Sequence, residues 1–165
     1  MSEGRRVEAK QAAGLVRDAV TAVFATMLGS ELRAGDPVDD PEPFLPAEVV
    51  SLIGLTGAVT GYLSLQCTRE HARDLTARFL GADGHDVESL DDIRDAVGEL
   101  VNMIAGKVKT AMACEEPVEI GLPTVVTTPK TDIKVRDTFG VAVPFEDHFG
   151  EFFVEFVLSQ ESWQG

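Results

Sequence analysis

Apolar positions along the chain recur with two different spacings, and the change between them divides it. Over residues 7–28, Val16, Val20, Val23, Phe24 and Met27 return every three or four positions, which places them on one face of a helix that Gly29 ends. Residues 30–48 break this pattern. Between Ser30 and Pro46 lie four prolines and the acids Glu31, Asp36, Asp39, Asp40 and Glu42. Proline offers no N–H and like charges repel, so an acidic, proline-rich surface loop is predicted. Residues 49–56 and 59–66 are apolar and β-branched around Gly57-Ala58, which predicts a hairpin. Thr68 suits the cap of a helix over 69–80, closed by Gly81. After a polar loop at 82–88, Ser89 with Asp92 three positions on resembles a capping box and opens a long helix over 90–113.

Beyond Pro117 the spacing becomes that of strands, predicted at 118–127, 132–136, 141–146 and 151–159, with a four-residue turn at 147–150. Helices and strands are segregated, not alternating. The fold class expected is therefore α+β, an antiparallel sheet packed against long helices, with residues 1–165 as one domain. Six of the nine phenylalanines fall between Phe139 and Phe156. Phe152, Val154 and Phe156 alternate with Phe153, Glu155 and Val157, which points to sheet and core packing before any ligand pocket.

The long helix over 90–113 has two unlike faces. Leu90, Ile93, Val97, Val101, Ile104, Val108 and Met112 form an apolar stripe facing the core. Opposite it lie Asp92, Asp95, Glu99, Asn102, Met103 and Gly106. An ordinary solvated face would account for the acids but not for the rest. Asn is a poor helix-interior residue, because its amide competes for backbone bonds. Gly106 costs about 1 kcal/mol against Ala, and Met103 puts an adaptable apolar side chain where water was expected. The face is shaped for close approach by another molecule. A carboxamide can donate and accept at once and so hold a water; the neighbouring carboxylate can pair with a cation. Orienting a water in line with a phosphorus is the task of the glutamine in small GTPases. Here neither group supplies positive charge for a phosphate, so any metal or lysine must come from the partner.

Composition narrows the partners. Fourteen Lys and Arg against twenty-eight Asp and Glu give a net charge of −14, which excludes nucleic acid and anionic membrane as partners, since both need a basic face. The chain shows no apolar run long enough for a membrane span and no secretory leader, so a cytoplasmic protein is expected. Cys67 and Cys114 lie outside any CxxC pair. His71, His85 and His148 show no zinc spacing, and no metal or cofactor of its own is expected. Residues 83–88 fail the calcium-loop pattern. Ala105-Gly106-Lys107 fails as a P-loop end, because Val101 stands where its first glycine belongs and Val108 follows the lysine.

On the outward face, Asp95-xxx-Glu99-xx-Asn102, followed by Pro123 in Gly-Leu-Pro-Thr-Val-Val, resembles the signature of the CheC/CheX/FliY chemotaxis phosphatases. Gly98-Glu99-Leu100-Val101-Asn102-Met103-Ile104-Ala105-Gly106 is most similar to the CheX branch, and a single ExxN of this kind fits it too. Thr127-Thr128-Pro129-Lys130 departs from it in lacking a glycine after the Val-Val strand. The resemblance implies a phosphatase of the aspartyl phosphate on a CheY-like receiver domain. Asn102 would orient the attacking water and Glu99 would dock to the receiver lysine. Asp95, Met103 and Gly106 would make partner contacts, Mg²⁺ would belong to the receiver, and the chain would form a homodimer. The alternative is a non-catalytic adaptor or dimerisation module binding a receiver or a flagellar motor component.

Overall fold

The computed structural model describes residues 7–39, 47–81, 89–127 and 138–164. Four long antiparallel strands make the centre of the sheet in the order β8 (Thr138–Glu146), β9 (Glu151–Ser159), β5 (Gly61–Cys67), β4 (Val49–Gly57). Short strands extend both edges: β2 (Arg33–Ala34) and β3 (Val38–Asp39) pair with β8, and β6 (Val118–Ile120) and β7 (Thr124–Thr127) pair with β4. Three helices, α1 (Ala9–Val23), α2 (Arg69–Leu80) and α3 (Leu90–Met112), cover one face of this sheet. Separately, β1 (Val7–Glu8) runs parallel to β10 (Trp163–Gln164). The α+β, antiparallel architecture expected from the segregated pattern is the one observed.

Alternation along the strands sets the core. Val49, Ile53 and Leu55 on β4, Leu63 and Leu65 on β5, and Phe152, Val154, Phe156 and Leu158 on β9 are all buried beneath the helices. Phe24 stacks on Phe152 with ring centroids 5.0 Å apart, and Phe152 stacks in turn on Phe145 at 5.4 Å. Aromatic pairs of this kind add about 0.5–1.5 kcal/mol beyond the area they bury. The phenylalanine cluster is thus largely packing, as its alternation predicts, although Phe149 stays 44 % exposed at the β8–β9 turn.

Helix ends follow their local chemistry. The Thr68 hydroxyl accepts from the His71 N–H at 3.1 Å, and Gly81 closes α2 in the left-handed region at φ +66°. The Ser89 hydroxyl accepts from the Asp91 N–H at 3.1 Å and starts α3. Five expectations need correction. The first helix begins at Ala9, because Val7 and Glu8 pair with β10, and its last turn, 24–28, widens to a π-turn before Gly29. Residues 30–48 are not loop throughout: β2 and β3 add to the edge of β8, where backbone pairing outweighs the local proline and charge signals. The hairpin turn runs over 58–60, with Gly57 still paired in β4. The single strand expected over 118–127 is two strands. Leu55 pairs with Ile120 and Leu52 with Thr124, so 121–123 oppose only Ile53 and Gly54. That extra residue is a β-bulge, and it turns Leu122 outward to 90 % exposure. Leu90, counted in the core stripe, is 37 % exposed at the helix start. The loop expected at 82–88 and the strand at 132–136 lie outside the described residues.

Candidate functional site

The site is built on α3, and its orientation is set by what the helix buries. Val97, Leu100, Val101, Ile104 and Val108 have no exposed surface. Beneath them the buried Ser51 hydroxyl on β4 donates to the Val97 carbonyl at 3.2 Å, which ties the helix to the sheet two residues before Glu99. With that stripe held down, the opposite face must point outward. Asp95 and Glu99 are exposed and Asn102 is half-buried. Among the described residues neither Glu99 nor Asn102 is tied to another side chain by a hydrogen bond or an ion pair. Among the described residues nothing engages their polar heads.

Two cavities flank this face. One, about 520 Å³, is lined by Arg94, Asp95, Gly98, Glu99, Pro123 and Val125. Its wall is the β6–β7 bulge, which the Gly121 N–H anchors by donating to the Gly54 carbonyl at 2.9 Å. The bulge rests on the helix at Gly98, where a β carbon would lie 3.5 Å from Pro123 Cγ. The other, about 680 Å³, opens between α1 and α3 and includes Met103 and Gly106.

The expected site residues are therefore partitioned. Asp95 and Glu99 belong to the first cavity and Met103 and Gly106 to the second, with Asn102 on the helix turn between them. Spacing along α3 missed Arg94, Leu122 and Val125. The Gly-Leu-Pro run carried a signal for Leu122, since glycine and proline inside a strand pattern mark a bulge.

A second cluster of charged groups lies beneath α2. His71 places Nε2 3.0 Å from Asp147 Oδ2 and Nδ1 3.3 Å from the Glu151 carbonyl. Arg78 donates to Asp147 at 2.8 Å and to the Ser30 hydroxyl, and it forms an ion pair with Asp74 at 2.8 Å. Asp147 accepts in addition from the Phe149 and Gly150 N–H groups at 2.9 and 3.1 Å. Burial alone would raise the Asp147 carboxyl; the hydrogen bond and charge of His71, then Arg78 and the Phe149 N–H, outweigh it and hold the group well below the usual carboxylate range. Possible ligand atoms of His71, Asp74 and Asp147 lie within 4.8 Å of one another, a grouping that histidine spacing did not reveal. Arg78 lies against both carboxylates and already supplies their positive charge, so the cluster is a staple between α2 and the β8–β9 turn. Nearby, burial and then the Asp147 and Glu48 charges push the Cys67 thiol up to about 12.

Comparison with known proteins places this geometry among relatives. The family model described as chemotaxis phosphatase CheX matches residues 49–146. A protein from Thermotoga maritima named CheY-P phosphatase CheX is 34% identical over 136 residues, covering 78% of this chain and 83% of that protein. The crystal structure of a chemotaxis protein CheX from Desulfovibrio desulfuricans superposes with a TM-score of 0.80 at 30% identity, over 90% of this chain and 99% of the other. A CheX–CheY–BeF3–Mg²⁺ complex from Borrelia burgdorferi shares the fold, with a TM-score of 0.76 at 22% identity over 90% of this chain and 98% of that one.

Proposed function

The chain belongs to the chemotaxis phosphatase CheX family, and from that membership we propose that it hydrolyses the aspartyl phosphate of a CheY-like receiver domain. The observation that carries the reading is the unengaged pair Glu99 and Asn102, one turn apart on the outward face of a helix whose other face is buried. A relative named for the same activity shares a third of its residues over most of the chain.

In the proposed mechanism α3 lies beside the phosphorylated aspartate. The Asn102 amide accepts a hydrogen bond from one water and directs its oxygen in line with the phosphorus. The water O–P bond forms as the bond from phosphorus to the aspartyl oxygen breaks, and the aspartate leaves as a carboxylate. Both water protons depart on the phosphate, and no covalent intermediate forms on this chain. Glu99 pairs with the receiver's active-site lysine and fixes the register of docking. Charge neutralisation at phosphorus comes from that lysine and from the receiver's Mg²⁺, because neither Glu99 nor Asn102 supplies positive charge. Asp95, Met103 and Gly106 act as contacts, and the family likeness supports a homodimer. No helix among the described residues is long and apolar enough to cross a membrane, and we place the reaction in the cytoplasm.

A phosphate-release assay on purified phosphorylated receivers tests this reading. Acceleration by the wild-type chain and its loss in Asn102→Ala are expected. A chain that binds a receiver while leaving its phosphate lifetime unchanged or longer is the adaptor, not the phosphatase.

A further inference from the structure

The groove between α1 and α3 lies next to the Glu99/Asn102 face and has no part in the chemistry above. Its walls are two ridges spaced four residues apart, Leu15, Ala19, Val23 and Met27 on one side and Met103, Lys107 and Ala111 on the other. Gly106 lies at the groove and is half-buried. A β carbon there would meet nothing within 4 Å, so internal packing does not explain a glycine inside a long helix. The α1 wall ends in the π-turn, which carries Met27 at 37 % exposure. Two methionines thus border one opening, and unbranched side chains of that kind adapt to a partner's shape.

We propose that this groove is the second half of the receiver-docking surface, taking an apolar side chain that the phosphorylated receiver carries beside its phosphosite. The proposal rests on the phosphatase reading and adds α1 to it. Two observations select the receiver over other occupants. Met103 and Gly106 continue directly from Asn102 on α3, so a domain seated on Asn102 also covers the groove's mouth. The groove carries an exposed Asp18 on its α1 wall and an exposed Lys107 on its α3 wall, so the side continuous with Asn102 is the cationic one. A receiver that holds Mg²⁺ through carboxylates presents negative charge next to its phosphate, and Lys107 complements it.

The test uses the full chain and the receiver whose phosphate loss it accelerates, loaded with beryllofluoride and Mg²⁺. Gly106→Leu fills the groove with a better helix former and is expected to melt no lower than wild type. Met27→Glu alters the opposite wall at an exposed position and serves if the first variant folds poorly. Both are expected to weaken receiver binding by about tenfold or more and to raise KM for the phosphorylated receiver. Asn102→Ala is expected to bind normally and fail to hydrolyse. Receiver affinity within twofold of wild type in both groove variants, with Asn102→Ala inactive, overturns the groove and leaves the phosphatase reading standing. An active Asn102→Ala overturns that reading, while the affinities still decide the groove. Groove variants that change the sedimentation of the chain alone, and not receiver affinity, assign the groove to a second copy and overturn the proposal.

Discussion

The Ser51 hydroxyl donates to the Val97 carbonyl at 3.2 Å, a side chain on the sheet holding a helix carbonyl already engaged within α3. This bond adds to the buried stripe of Val97, Val101, Ile104 and Val108 in setting the roll of α3, and the roll decides that Glu99 and Asn102 face outward. Ser51→Ala is expected to cost about 0.5–1.5 kcal/mol in urea unfolding. Because the apolar stripe remains, the variant should fold and keep measurable activity.

The Asp147 staple yields a sharper stability expectation. Removing its carboxylate leaves Arg78 with Asp74 as its one remaining carboxylate among the described residues and takes the acceptor from the His71 Nε2, so Asp147→Ala should lose about 1–3 kcal/mol. The sign with pH follows from the depressed carboxyl. A carboxyl held below its ordinary value contributes stability that is fully present above about pH 4 and is lost as the pH falls further toward the folded-state value. Denaturation midpoints of wild type and Asp147→Asn, measured from pH 7 downward, should differ most at neutral pH and converge in acid.

Cys67 is fully buried, with its thiol pushed up to about 12. At pH 8 almost none of it is thiolate, and a thiol reagent cannot reach it. Mass spectrometry after brief labelling should find Cys67 unmodified in the folded protein and modified once urea unfolds the chain.

Leu122 exposes 90 % of its surface at the crest of a bulge that borders the Glu99 cavity. Leu122→Ser should change unfolding free energy by no more than about 0.5 kcal/mol. If the crest touches the receiver, as the phosphatase reading expects, the same variant raises KM in the phosphate-release assay.

Much of this was legible where a signal is local. Thr68 and Gly81 mark both ends of α2, Ser89 marks the start of α3, and residues 147–150 form the expected turn. The two faces of α3 were legible for the same reason, since a 23-residue helix repeats its stripe often enough to be read. What escaped depends on distant partners. The strands β2 and β3 exist because β8 offers its edge more than a hundred residues later. The His71–Asp147 contact joins a helix to a turn 76 residues away. The α1–α3 groove appears only when two helices far apart in the chain pack side by side.

The central claim is that Asn102 directs the water that releases phosphate, and single-turnover hydrolysis of a phosphorylated receiver tests it most directly. Asn102→Ala changes an outward-facing residue, so its unfolding free energy should stay within about 0.5 kcal/mol of wild type. Its rate at saturating concentration should fall by about a hundredfold or more, the scale lost when a positioned catalytic group is removed. Release at the wild-type rate by the folded variant would contradict the account.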